Sequence, residues 1–289
     1  MKRFFRNTSR DVTRLKNSLR IGVFDSGIGG LTVVKRLLEA FPEGVSLHYF
    51  ADTARVPYGS KPVETLRRYV REIFDFFAQL GVDAIVTACN TSDSILSQRE
   101  KTELTTPYFS IIDPTAKFLG ETAPDKSTVA VIATENTVKK SLYLRRLFRY
   151  ESISKILQRA CPLFVPLIEE GIWEGEIVDS IVKYYLADLA KIQPDFLILG
   201  CTHYPFIRSS IESLLSPRTR IIDPAEYIAK NVADWATISS HHSSTVEYYV
   251  SGNIRFFQEI LGRYLGKAEN VRGVDLTSSG IALKERVTS

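Results

Sequence analysis

Asp83-Ala84-Ile85-Val86-Thr87-Ala88-Cys89-Asn90-Thr91 recurs as Asp195-Phe196-Leu197-Ile198-Leu199-Gly200-Cys201-Thr202-His203. In each stretch an aspartate opens a short apolar run that ends on a cysteine followed by hydrogen-bonding residues. A continuous apolar run of this length reads as a strand buried on both faces. The echo extends in both directions. Ile21-Gly22-Val23-Phe24 has a counterpart in Val129-Ala130-Val131-Ile132, and Ile111-Ile112-Asp113-Pro114 in Ile221-Ile222-Asp223-Pro224, at offsets of 108 and 110 residues beside 112 for the cysteines. Two similar halves follow, each with one thiol at the end of a buried strand.

Around these runs, β-rich segments alternate with longer helical patterns. Strands are expected at Ile21–Phe24, Leu47–Ala51, Ala84–Ala88, Tyr108–Ile112, Thr128–Ala133, Phe196–Leu199 and Ile221–Ile222, with helices such as Leu31–Phe41 and Pro62–Leu80 between them. Strands separated by amphipathic helices give an α/β fold of two pseudo-symmetric domains, with mainly parallel sheets flanked by helices. The Ile-Ile-Asp-Pro elements suit the crossovers, because a proline biases its predecessor toward an extended conformation. The expected division is a basic leader over 1–20, one domain from 20–113 plus a returning 225–289, and another from 114–224. Ligands of open α/β sheets bind beyond the carboxyl ends of strands, so the active site is expected in the interdomain cleft.

Composition is that of a globular chain, with 44% hydrophobic and 24% charged residues. No uncharged run is long enough to span a membrane. The net charge of +4 is concentrated at one end: residues 1–20 carry seven Lys/Arg against Asp11 alone, leaving the other 269 at −2. A nucleic-acid partner is therefore not expected, and the leader lacks the features of a secretory signal. Three cysteines without a C-x-x-C pair fit a reducing compartment, the cytoplasm, and give no zinc spacing.

Cys89 and Cys201 are the candidate acid–base pair; a helix N-terminus just beyond each would favour the thiolate. Cys161 has no counterpart in the other half and is assigned to packing. Asp25-Ser26-Gly27-Ile28-Gly29-Gly30 sits at a strand-to-helix turn whose glycines permit close approach of the backbone. It departs from the dinucleotide fingerprint, with Thr32 where the third glycine should stand. Val56-Pro57-Tyr58-Gly59 is read as a loop lining the cleft. Glu169-Glu170 alone would read as a solvated helix start, and His203 as a group able to assist a thiol or a carboxylate.

Together these motifs resemble the glutamate racemases of the aspartate/glutamate racemase group. The resemblance rests on Phe24-Asp25-Ser26-Gly27-Ile28-Gly29-Gly30-Leu31-Thr32-Val33, Val56-Pro57-Tyr58-Gly59, Ala88-Cys89-Asn90-Thr91 and Gly200-Cys201-Thr202-His203-Tyr204-Pro205. Phe164-Val165-Pro166-Leu167-Ile168-Glu169 and Tyr249-Val250-Ser251-Gly252 are similar too. It implies interconversion of L- and D-glutamate for peptidoglycan, with neither cofactor nor metal. Cys89 and Cys201 would be the bases, Cys201 acting on L-glutamate and Cys89 on D-glutamate. Asp25, His203 and Glu169 would assist them, and Asp25, Ser26, Pro57, Tyr58, Gly59, Asn90, Thr91, Thr137, Thr202 and His203 would bind substrate. The resemblance leaves room for a homodimer and for activation by a cell-wall precursor. Departures are Ser92-Asp93, where the family continues Ala-Ser, and Ala133 and Lys140, where glycine and serine are commoner. The rival readings are a racemase of aspartate or another small acid, and a binding or inhibitory protein that retains the fold. A thiol hydrolase using one cysteine leaves the second unexplained.

Overall fold

The computed structural model describes residues 18–238, 242–266 and 269–284. The basic segment before Ser18 lies outside the described residues. Eleven strands are described: β1 Leu19–Asp25, β2 Val45–Ala51, β3 Ala84–Thr87, β4 Tyr108–Ser110, β5 Ser127–Ala133, β6 Ile153–Ala160, β7 Phe196–Gly200, β8 Arg220–Ile222, β9 Thr245–Val250, β10 Val271–Thr277 and β11 Gly280–Leu283. They form a seven-stranded sheet, β11-β10-β9-β2-β1-β3-β4, and a four-stranded sheet, β6-β5-β7-β8. All pairings are parallel except the β10–β11 hairpin.

The order β2-β1-β3-β4 is repeated by β6-β5-β7-β8. Register fixes the equivalence: Ile21 pairs with Ala84 in one sheet, as Val129 pairs with Phe196 in the other. The offsets of 108 before the cysteines and 112 around them are thus structural. The Ile-Ile-Asp-Pro echo is not. At an offset of 112, β4 maps onto β8, and the N-cap Ile111 of helix Ile112–Thr122 maps onto Asp223, the N-cap of helix Pro224–Trp235. The similar tetrapeptides mark the same crossover but slide by two residues: Ile112 opens a helix, whereas Ile222 closes a strand. Tyr108–Ile112 is correspondingly a shorter strand than expected.

The helices follow from spacing. Val63–Leu80 buries Leu66, Val70, Ile73, Phe76 and Phe77 and stops at Gly81, whose left-handed φ of 65° suits glycine at a helix end. One continuous core runs through both halves, and a second cluster around Phe24, Phe50 and Phe77 packs the other face of the larger sheet. The residues of the candidate site lie on segments that follow the carboxyl ends of β1, β2 and β3 in one half and of β5, β6 and β7 in the other.

Candidate active site

Cys89 follows β3 and caps helix Asn90–Ile95, its Sγ accepting from the Ser92 N–H at 3.5 Å. Cys201 follows β7, with Sγ 3.7 Å from His203 Nδ1. The two thiols are 4% and 6% exposed, and each bears on the other's neighbourhood: burial, then the Asp25 carboxylate, pushes Cys89 up to about 12, with a further upward push from Cys201. An uncharged thiol is thus the resting form of Cys89.

The Cys201 side is an acid–base chain. His203 Nε2 lies 2.5 Å from Glu169 Oε1, and the same oxygen accepts from the Ile28 N–H at 2.9 Å. Burial alone would lower His203; the sulfur of Cys201 and the carboxylate of Glu169 outweigh it and hold the imidazole well above its ordinary value. The sequence allowed His203 to assist a thiol or a carboxylate, and in the fold it contacts both. Asp25 is fully buried between the halves, accepting from the Gly30 N–H at 2.8 Å and from Thr202 Oγ1 at 3.3 Å. Burial pushes its carboxyl up, against the pull of His203. Ser26, also buried, follows Asp25 at the end of β1, and its backbone helps hold the Asp25 carboxyl down. The glycine turn is obligatory here: a Cβ at Gly27 would stand 1.9 Å from Glu169 Oε1, and one at Gly29 2.3 Å from His203 Nδ1.

The Cys89 side is built from amides and hydroxyls. Thr91 Oγ1 lies 2.9 Å from Thr134 Oγ1, which lies 3.0 Å from Thr137 Oγ1. Asn90 Oδ1 accepts from the Tyr143 hydroxyl at 2.8 Å, while its buried Nδ2 is left without a partner among the described residues. That amide is free to meet a ligand. Pro57, half-buried, follows a cis peptide bond. The Tyr58 ring packs in one apolar cluster with Cys89, and its hydroxyl donates to Asp52. Gly59 lies against Thr134, and its carbonyl accepts from the Asn136 N–H at 3.0 Å.

Hydrogen bonds thus bring Asp25, Glu169, Thr202 and His203 together beside Cys201, and Thr91 and Thr137 together on the Cys89 side. Four others join them: Asp52, Thr134, Asn136 and Tyr143. The repeat could have found two of these, since its 108-residue offset carries Ser26 onto Thr134 and Ile28 onto Asn136. Cys161 is fully buried in the core and accepts through its carbonyl from the Tyr204 hydroxyl at 3.2 Å, as a packing residue would. Among the described residues no cluster of His, Cys, Asp or Glu is arranged to hold a metal. A groove of about 710 Å³ lies elsewhere, between Lys101, Tyr108, Asp113, Tyr227 and Lys230.

Two like α/β halves, each delivering a buried cysteine from its third strand to a shared polar cleft, define the class of the Asp/Glu/Hydantoin racemases, whose family model matches residues 21–232. The chain belongs to that family, on the side of the glutamate racemases. It is 38% identical to the glutamate racemase of Carboxydothermus hydrogenoformans over 90% of this chain and 98% of that protein. With the glutamate racemase of Aquifex aeolicus the identity is 39%, over 86% and 95%. Among solved structures, a glutamate racemase isoform of Bacillus anthracis superposes with a TM-score of 0.84 at 31% identity, covering 90% of this chain and 99% of that one. The Francisella tularensis glutamate racemase, crystallised with D-glutamate, gives 0.81 at 31% identity, covering 91% and 100%.

Proposed function

We propose that this chain racemises glutamate without a cofactor, using Cys89 and Cys201 as its two bases, and so supplies D-glutamate for peptidoglycan. The observation that carries the proposal is the placement of the two thiols, one from each half, at equivalent strand ends on a shared buried cleft. Family membership supports the chemistry, and identities of 36–40% to glutamate racemases support the substrate. The Picrophilus torridus aspartate racemase, at 15% identity, shares the fold alone.

The two sides differ at rest. Cys89 holds its proton, while the His203 imidazole lies 3.7 Å from the Cys201 sulfur. The Cys201 thiolate takes the α-proton of L-glutamate: the C–H bond breaks, an S–H bond forms, and the electron pair moves into the carboxylate as an enediolate. Cys89 then gives its proton to the opposite face and is left as thiolate, which is the state ready for D-glutamate. Amides and hydroxyls around Asn90, Thr91 and Thr202 stabilise the enediolate. Positioned general acid and base each contribute on the order of 10²–10⁴ in rate.

The same reading takes 20–113 together with 225–289 as one unit and 114–224 as the other, with the cleft between them admitting substrate. Thiols that must stay reduced place the reaction in the cytoplasm. Homodimer formation and a cell-wall-precursor activator belong to the same reading. The Escherichia coli glutamate racemase crystallised with UDP-MurNAc-ala is 21% identical and bears on the fold only.

Incubation with L-glutamate in deuterated water, without added cofactor, tests the activity. Deuterium entering the α-position as optical rotation decays is the expected result; unchanged rotation with either enantiomer overturns it. Because the equilibrium constant is one, Cys89→Ser lowers kcat/KM equally in both directions. Its asymmetry surfaces in the primary isotope effect, expected to be larger for α-deuterated D-glutamate, where residue 89 is the base.

A further inference from the structure

The two thiols are served by different neighbours. Cys201 has an imidazole at 3.7 Å backed by Glu169. On the Cys89 side, the hydrogen bond to sulfur comes from the Ser92 N–H at 3.5 Å. Yet Cys89 is the thiol that burial and Asp25 hold in its protonated form, so its ionisation during the D-to-L half of the cycle needs further help.

Ser92 also carries a hydroxyl, and that hydroxyl is an anomaly. The residue is fully buried, and Oγ makes no hydrogen bond among the described residues. A buried hydroxyl without a partner is costly, and native structures avoid it unless the group has a use. Ser92 stands at the third position of the helix that Cys89 caps. A side chain there is placed to reach back to the capping residue, the geometry that capping boxes use. Donors of Ser92 lower the Cys89 thiol against burial. The next residue keeps the helix still. The Asp93 carboxylate is bound by Lys101 Nζ at 2.5 Å, Tyr108 Oη at 2.8 Å, Ser110 Oγ at 2.5 Å and the Ile112 N–H at 3.1 Å.

We propose that Ser92 is a further catalytic residue: when Cys89 ionises, the Ser92 Oγ–H turns onto Sγ, so that the N–H and O–H of one residue together hold the thiolate. This rests on the two-thiol reading above. It makes the two halves functionally alike with unlike parts, an imidazolium for Cys201 and a serine for Cys89. No atom is transferred; the hydroxyl keeps its proton and the sulfur gains a donor.

Ser92→Ala is the test. Alanine removes the hydroxyl, leaves the backbone N–H and is the better helix former. The readout is the pH dependence of iodoacetamide alkylation, followed separately for the Cys89 and Cys201 peptides by mass spectrometry. Loss of one hydrogen bond to a charged group is expected to lower the Cys89 profile about tenfold in alkylation rate at each pH below its midpoint, with Cys201 unmoved. In turnover, the isotope effect with α-deuterated D-glutamate is expected to rise while that with L-glutamate stays as it was. An unmoved Cys89 profile overturns the proposal, and so does an equal shift of both cysteines, which would mark a general loosening. Failure of the racemase reading shows differently, as absence of turnover in the wild-type protein, and leaves the alkylation comparison intact.

Discussion

Glu169 does two things with one oxygen: it holds the His203 imidazole at 2.5 Å and the Ile28 N–H of the other half at 2.9 Å. Glu169→Gln keeps the shape but removes the charge that helps raise His203. Activity is expected to fall about 10²-fold, the lower range for a general acid–base contribution, with the isotope effect rising for L-glutamate rather than D-glutamate. Steady-state kinetics with both α-deuterated enantiomers checks this. The same pair affects stability. A histidine whose folded value is raised contributes fully below the ordinary imidazole value, about 6.5, and loses its contribution as pH climbs through the raised one. The melting-temperature deficit of His203→Asn is therefore expected to be largest at and below neutral pH and to shrink as the solution becomes alkaline. Gly27 shows why such a site tolerates no neighbour: its missing Cβ leaves the room that Glu169 occupies. From the sequence, the glycines read correctly as points of close approach. What they approach is 141 residues away along the chain, from Ile28 to Glu169, and no local pattern carries that.

Helix Asn90–Ile95 has six residues, too few to hold together by its own hydrogen bonds. Its geometry, and with it the direction of Cys89, comes from Asp93 and the four donors around it. Asp93→Ala would leave Lys101 buried without a partner, a change that costs about 3–5 kcal/mol in comparable buried pairs. Urea unfolding should show that loss, and the double variant Asp93→Ala/Lys101→Met should recover part of it, because the stranded charge is gone. The departure at position 93 was visible in the sequence, but its partners were not, since Lys101 comes from the helix Gln98–Thr102 and Tyr108 and Ser110 from β4. Strands divide in the same way. Central strands such as β3 and β7 are uninterrupted apolar runs and were legible directly. β6 was not, because as an edge strand it exposes Ser154 and Lys155. The β9–β11 extension was also missed: Glu247, Arg272 and Asp275 interrupt its pattern, and its place beside β2 depends on a pairing of distant segments.

The approximate twofold relation between the halves reaches beyond the sheets to the contacts that close them. Ile28 and Asn136 are equivalent by the 108-residue offset, and each directs its backbone N–H into the segment between the second and third strands of the opposite half, the helix Phe164–Glu169 in one case and the loop at Gly59 in the other. Ile28 meets Glu169 Oε1 at 2.9 Å, and Asn136 meets the Gly59 carbonyl at 3.0 Å. The two clamps differ only in their side chains. Near Cys201 the clamp is the Glu169 carboxylate, which also meets His203; near Cys89 it is a latch, in which Asn136 Nδ2 also holds the Tyr58 and Lys61 carbonyls at 3.1 and 2.9 Å. A latch and a carboxylate should fail differently. For a cleft that closes on its substrate, Asn136→Ala removes two side-chain hydrogen bonds that hold the halves together, on the order of 2 kcal/mol in all. That converts to about a 30-fold rise in KM, with kcat changed far less and the melting temperature of the ligand-free protein nearly unmoved. Glu169→Gln, on the opposite clamp, should lower kcat instead. Should Asn136→Ala lower kcat and leave KM alone, the cleft does not work by closing on its substrate, and the two clamps are only packing.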